Sequence, residues 1–306
     1  MENLKEIFLT LHDLDAYKRV SESHPIAWYV GVDGVGRFSL FAKTATTPDA
    51  VSSTNMIHVF IGRRRDGDFG ITFSLIERNN LDLFVYFCTD MIESTQTVRN
   101  PDRAAGRICA RYIQWQKAFR KIGNNLLSYE QIKGLLGELC FLKMGMIPKY
   151  GAEQAVESWC GIEQSDQDFV CEDTWYEVKS SVSGASFVRI SSVEQLDADR
   201  DGHLVVVTLD KTSELDNSRI TLNGMIKIVM EALGSPLMKE KLTGKLLESG
   251  YIQNDAYDSI CFKYNGMSFY SVTSSFPCLR ARDLPVSVHN VNYELSLSAI
   301  AGFKEA

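Results

Sequence analysis

The chain lacks long apolar runs, cysteine or histidine clusters at metal-binding spacing, and any excess of positive charge. No stretch among its 306 residues approaches the roughly 20 apolar residues that a membrane helix needs. The opening Met1-Glu-Asn-Leu-Lys-Glu has none of the basic-then-apolar order of a secretory leader. A cytoplasmic setting with no membrane partner is therefore expected. The seven cysteines, at 88, 109, 140, 160, 171, 261 and 278, contain no Cys-x-x-Cys pair and lie mostly in apolar surroundings. They read as reduced core residues and not as a disulfide framework. His12, His24, His58, His203 and His289 are scattered, so neither a zinc site nor a histidine-based nucleophile is indicated. The net charge of −7 argues against a broad non-specific nucleic-acid surface, because phosphate neutralisation is the main sequence-independent source of such affinity. Local patches matter more than this total.

What is present is a concentrated acid and lysine motif. Residues 168–179, Asp-Phe-Val-Cys-Glu-Asp-Thr-Trp-Tyr-Glu-Val-Lys, read as two short strands rich in β-branched and aromatic residues, joined at the polar pair Glu172-Asp173. If that pair is a two-residue loop, counting outward sets Cys171 opposite Thr174, Val170 opposite Trp175, Phe169 opposite Tyr176 and Asp168 opposite Glu177. Opposed residues share a face with Cβ atoms about 4.5–5.5 Å apart, so two carboxylates are forced together. Alternation puts Lys179 on the same side as Glu177. Close like charges repel unless a proton or a cation lies between them. A hard cation such as Mg²⁺, usually held by one or two carboxylates with a substrate phosphate, would fill that role. An exposed Glu-x-Lys strand with a solvated face is the common alternative, and only the surrounding constellation shifts the balance.

That constellation includes Glu138. Residues 128–144 open with the Ser-x-x-Gln pattern of a capping box and carry Ile132, Leu135, Leu136, Leu139 and Leu142 at helical spacing. Glu138 falls on the shoulder of this apolar stripe, where a carboxylate wants a buried partner. Gly134 and Gly137 remove side chains beside it and permit close approach to another element.

The helix acid, the strand Asp and the following Glu-Val-Lys together resemble the PD-(D/E)XK nuclease superfamily. Across the whole chain, the Gly-Leu-Leu-Gly-Glu-Leu helix, Glu-Val-Lys, the Arg189-Ile-Ser-Ser…Gln195-Leu segment and Phe276-Pro-Cys-Leu-Arg-Ala-Arg-Asp-Leu-Pro285 resemble a bacterial family of PD-(D/E)XK motif proteins found beside restriction-modification and phage-defence genes. Gln167 stands where the name-giving proline would be, and Asp166 lies close enough to compete with Asp168 for the metal role. The hairpin register favours Asp168. The resemblance implies an α/β fold with a restriction-endonuclease-like core, a mixed central sheet flanked by helices. It further implies a Mg²⁺-dependent endonuclease acting on DNA, with Mn²⁺ substituting. Asp168, Glu177 and the Val178 carbonyl would hold the metal, Lys179 would assist the attacking water, Glu138 would position the site or bind a second ion, and Gln195 would be accessory. A homodimer and restriction or defence proteins are the implied partners. A catalytically silent binding or assembly subunit is the competing class.

Around this core the chain reads as four segments. Residues 1–100 form an all-β region, a sandwich or curled sheet, from the runs at Trp28, Arg37, Met56, Phe69 and Leu83-Phe-Val-Tyr-Phe-Cys88, with a hairpin turn at Asp33-Gly34 and another at Arg63-Arg-Arg-Asp-Gly67. Residues 101–123 form a connecting helix started by Pro101 whose Arg103, Arg107 and Arg111 recur every four residues, a basic stripe suited either to a solvated face or to a DNA backbone. Residues 124–234 hold the core, with a third strand and a short helix carrying Gln195, then the continuously apolar His203–Leu209 as a strand buried on both faces. Residues 235–306 form a small α+β extension: a helix from Pro236, a hairpin about Asn265-Gly266, and a last strand-like run. Two helices followed by a hairpin suit either a winged DNA reader or an appendage that completes the sheet.

Overall fold

The computed structural model describes residues 4–122, 126–160 and 165–305. The chain is a mixed α/β protein that packs as two units, one of residues 1–126 with 250–252, the other of residues 127–249 and 253–306.

In the first unit, helix α1 (Leu4–Thr10) precedes five strands: β1 (Ala16–Arg19), β2 (Ala27–Val32), β3 (Phe38–Thr44), β4 (Ile57–Arg63) and β5 (Phe69–Leu75). They form one antiparallel sheet in the order β1-β2-β3-β5-β4. Alternation fixes its inner face: Trp28 and Val30 of β2, Leu40 and Ala42 of β3, and Ile71 and Phe73 of β5 are buried. The anticipated turns are present. Asp33 to Gly36 closes β2 onto β3 with Gly36 at φ +86°, and Arg64 to Gly67 closes β4 onto β5 with Gly67 at φ +94°.

Helices α2 (Leu81–Glu93) and α3 (Ala104–Ile122) complete this unit, which is therefore not all-β. The run Leu83–Cys88 lies inside α2. Its β-branched and aromatic composition suggested a strand, but Phe84, Phe87, Cys88, Met91 and Ile92 bury one helical stripe. That stripe becomes periodic only when the window extends past Cys88. Its rings meet the sheet and α3, with Phe87 edge-on to Phe73 and to Trp115 at centroid distances of 5.6 and 5.3 Å.

The second unit begins with α4 (Tyr129–Phe141), whose capping box is formed as expected: Ser128 accepts from the Gln131 backbone and Gln131 reaches back to the Ser128 N–H. A π-helical turn (Leu142–Met146) passes into α5 (Ile147–Tyr150) and then α6 (Ala152–Ser158). Strands β6 (Phe169–Val170), β7 (Trp175–Ser181), β9 (Gly202–Lys211), β10 (Arg219–Ile220) and β11 (Phe262–Val272) form a mixed sheet in the order β10-β11-β9-β7-β6. Its one parallel pairing is β7 with β9. Leu204, Val205, Val206, Val207 and Leu209 are buried along β9, as a strand covered on both faces requires. Helices α7 (Leu222–Ala232) and α8 (Pro236–Glu248) follow β10.

Three details of this unit depart from the sequence-based expectations. Strand β8 (Phe187–Ile190) leaves the central sheet and pairs antiparallel with β12 (Tyr293–Ser296), building a second layer over it. Residues 193–197 make a single turn where a short helix was expected. Asn265-Gly266 is a bulge within one continuous strand and not a hairpin tip: β11 pairs with β9 throughout, shifting register between Tyr264 and Met267, with Gly266 at φ +111°. The Asn265 amide donates to Asp210 at 2.7 Å across that bulge. No wing exists there, and β11 completes the sheet.

Candidate metal-binding catalytic site

The tight turn at Glu172-Asp173 produces the anticipated register. Phe169 faces Tyr176, Val170 faces Trp175, and the Cys171 N–H donates to the Thr174 carbonyl at 2.8 Å. The ladder then opens at Asp168. Its Oδ2 accepts from the Val178 N–H at 2.8 Å, taking the place of a main-chain partner. In a strand the N–H and C=O of one residue leave on the same edge, so the Val178 carbonyl also points to this side. The outer edge of β6 is met by Trp159, which bridges to Phe169, and by Cys160, whose N–H donates to the Asp168 carbonyl at 2.9 Å.

Alternation along β7 separates two faces. Tyr176 and Ser180 face α4, where Phe141 packs tilted on Tyr176 at 5.1 Å and Ser180 donates to the Lys133 carbonyl at 2.8 Å. Gly137 allows this approach, because a Cβ there would lie 2.0 Å from the Ser180 Oγ. Gly134 has open space, so close packing explains only one of the two glycines. Trp175 packs on the opposite face with Val188 and Ile190 of β8 and Leu295 of β12. Glu177 and Lys179 belong to the Trp175 face by the strand period.

There Glu177 is 1% exposed. Lys179 Nζ lies 2.6 Å from its Oε1, yet neither carboxylate oxygen receives a hydrogen bond of acceptable geometry. Burial pushes the Glu177 carboxyl well above the usual carboxylate range, and the adjacent Asp168 pushes it further; Lys179 opposes both, and Glu138 adds a smaller repulsion. Burial also raises Asp168, against the pull of Lys179 and the Val178 N–H. Two carboxylates thus share a desolvated space with one ammonium.

Lys179 is held from its other side by Gln195, whose Oε1 accepts from Nζ at 3.0 Å and from the Ser191 N–H at 2.8 Å. The departure of β8 from the sheet brings the Gln195 turn over Lys179. Glu138 Oε2 accepts from the Trp159 indole at 2.7 Å, an interaction with no local sequence signal because the two lie 21 residues apart. Asp166 is exposed, while Asp168 carries the contact to β7. Among the described residues no three of His, Cys, Asp and Glu cluster at metal-binding distances. Asp168, Glu177 and the Val178 carbonyl are the oxygen groups that the strand geometry brings to this side of β7.

The basic stripe on α3 is not formed. Arg103 is exposed at the start of the helix, and Arg107 is half-buried with its Nε 3.4 Å from the Ser94 carbonyl. Arg111 turns inward, its side chain 4% exposed and paired through two nitrogens with Asp90. Arg111 cannot therefore reach a DNA backbone in this arrangement.

A tight turn that presents an aspartate beside Glu-Val-Lys on a mixed sheet, with a glutamate from the covering helix nearby, defines the nuclease-like PD-(D/E)XK class. The family model described as "Putative PD-(D/E)XK family member, (DUF4420)" matches residues 5–298, and the chain belongs to that family. Comparison with curated proteins and with solved structures gives no match. Among the described residues no helix is long and apolar enough to cross a membrane.

Proposed function

We propose that this chain is a metal-dependent endonuclease that hydrolyses phosphodiester bonds of DNA in bacterial restriction or phage defence. The carrying observation is Glu177: a buried carboxylate beside Asp168, with the single Lys179 ammonium set against two acids and no well-directed hydrogen bond to either Glu177 oxygen. Such a group is costly to bury unless a counter-charge completes it. Mg²⁺ suits the donor set of Asp168, Glu177 and the Val178 carbonyl, since it takes oxygen ligands and leaves positions for water and phosphate; Mn²⁺ would substitute. Bound there, a divalent ion supplies Lewis-acid polarisation of the phosphate and a more acidic water.

The chain's own groups do the rest. Lys179, fixed between Glu177 and Gln195, orients the attacking water and neutralises charge that grows on the phosphate oxygens. Gln195 positions the lysine. Glu138, oriented by Trp159, adds negative potential that favours cation binding. Two copies acting together would cut both strands, which makes a homodimer on DNA the expected assembly; light scattering that shows only monomer with and without DNA would remove it.

The test compares the parent with Lys179→Ala on supercoiled and linear DNA in Mg²⁺, Mn²⁺ or EDTA. Expected is metal-dependent cleavage that falls about 10²–10⁴-fold in the variant. Undiminished nicking by Lys179→Ala would remove the lysine from the mechanism. No cleavage of any nucleic acid by the parent would favour a silent binding or assembly subunit that keeps the fold.

A further inference from the structure

The outer face of the first unit's sheet carries aromatic rings where an ordinary solvated face carries polar side chains. Pairing places Tyr17 of β1, Tyr29 of β2, Phe41 of β3 and Phe60 of β4 on that one face. Tyr17 and Phe60 are 36% and 62% exposed, and Tyr29 and Phe41 are half-buried. Phe41 contacts Tyr17 and Tyr29 at centroid distances of 5.8 and 5.6 Å, so these three rings are connected, with Phe60 beyond Thr72.

The rings lie over glycines. A Cβ at Gly31 would come 2.6 Å from the Tyr17 ring, one at Gly70 2.5 Å from the Phe41 ring, and one at Gly62 2.9 Å from the Phe60 ring. Three strands thus give up a side chain under a ring, which turns aromatic faces outward. Tyr17, Tyr29, Phe41, Lys43, Arg64 and Thr72 enclose a groove of about 360 Å³. Lys43 and Arg64 stand at one side of it, with the Arg64 guanidinium 5.4 Å above the Phe41 ring. Asp66 and Asp68 pair with Lys43, and Asp66 also pairs with Arg64, while the exposed Arg65 at the hairpin tip brings the cations at this end to three against these two acids.

Exposed rings with cations on one edge match a strand of unpaired bases, whose flat faces stack while the phosphates lie along the positive edge. Duplex DNA has no free base faces to offer. We propose that this face is a platform for single-stranded nucleic acid, separate from the Asp168 and Glu177 site. The proposal rests on the nuclease reading only for its purpose, which would be to hold an unpaired strand for the same enzyme.

The experiment uses the full chain carrying Lys179→Ala, in EDTA, and measures fluorescence anisotropy of a labelled 20-nucleotide oligothymidine and of a duplex of equal length. Expected is preferential binding of the single strand. Two further changes, Tyr17→Leu and Tyr29→Leu, keep apolar bulk but remove stacking faces and should weaken single-strand binding at least tenfold with duplex binding unchanged. Thermal unfolding of the same samples checks the fold. If that pair unfolds, Phe60→Ala and Arg64→Ala, both at exposed positions, carry the test with the same expectation. Equal affinity for single strand and duplex, no single-strand binding by the parent, or full binding by the variants would overturn the platform. Binding is read without metal, so its failure leaves the cleavage test standing, and a failure of cleavage leaves this test standing.

Discussion

Asp90 in the first unit and Glu177 in the second are acids placed against tryptophan-rich cores, and the chain treats them in opposite ways. Asp90 receives two guanidinium nitrogens of Arg111 and the Trp115 indole at 2.7 Å, so each of its oxygens has a donor. Glu177 has an ammonium 2.6 Å away but no well-formed hydrogen bond, and a second carboxylate beside it. Buried carboxylates are tolerated when donors replace the lost water. Asp90 is a finished structural pair, while Glu177 shares the one nearby ammonium with a second carboxylate. The comparison separates a charge that holds a fold together from the charge on which the proposed metal site depends.

The largest expected effect falls on the finished pair. Arg111→Ala leaves the half-buried Asp90 with the Trp115 indole but without its paired guanidinium, and should destabilise the protein by about 3 kcal/mol. Urea unfolding followed by tryptophan fluorescence reads this directly. Arg111→Met together with Asp90→Leu should recover only part of the loss, because the apolar pair avoids the desolvation penalty but leaves the buried Trp115 indole N–H without its acceptor. A single Arg111→Ala change within experimental error of the parent would erase the distinction between the two acids.

The tryptophans sharpen the comparison at a smaller scale. Trp115 donates to Asp90 and Trp159 donates to Glu138, each at 2.7 Å. Replacing either by Phe removes one hydrogen bond to a carboxylate, worth about 1.5–3 kcal/mol. Both variants should therefore melt earlier by similar amounts. Only Trp159→Phe should also slow metal-dependent nicking, since Glu138 would lose its orientation near Glu177. Equal nicking rates in the two variants would deny Glu138 a part in the site.

What could be read from sequence was local, and what could not was long-range. The hairpin register needed only the polar pair at 172–173 and counting, and it placed Phe169, Val170, Trp175 and Tyr176 as found. The Glu177 and Lys179 alternation needed only the strand period. Arg111 was misread because its partner Asp90 lies 21 residues upstream, beyond any helical spacing rule. Strand β8 was placed in the wrong sheet because its partner β12 lies about a hundred residues downstream. Asn265-Gly266 is favourable in a hairpin turn and in a bulge alike; the β9 partner and the Asp210 contact decide between them. The segment Leu83–Cys88 failed for a different reason, a window shorter than two helical turns.

The smallest effect bears most directly on Glu177, and it has the opposite sign to the others. Because burial and Asp168 raise its carboxyl above the ordinary range, the metal-free folded state retains a proton that the unfolded chain releases. The parent's stability should therefore fall as pH rises from the ordinary carboxylate range, near 4.3, towards the higher folded value. Glu177→Gln has no such proton to lose. In EDTA at pH 8 the variant should be the more stable by about 1 kcal/mol, the balance between relieving a buried charge short of donors and losing the attraction of Lys179. Near pH 4.5 that advantage should vanish. Adding Mg²⁺ at pH 8 should raise the melting temperature of the parent and leave Glu177→Gln unmoved, since binding to the folded state alone stabilises it. A variant less stable than the parent at pH 8 in EDTA would mean that Glu177 is satisfied by the protein as fully as Asp90 is, and the difference between the two acids would be gone.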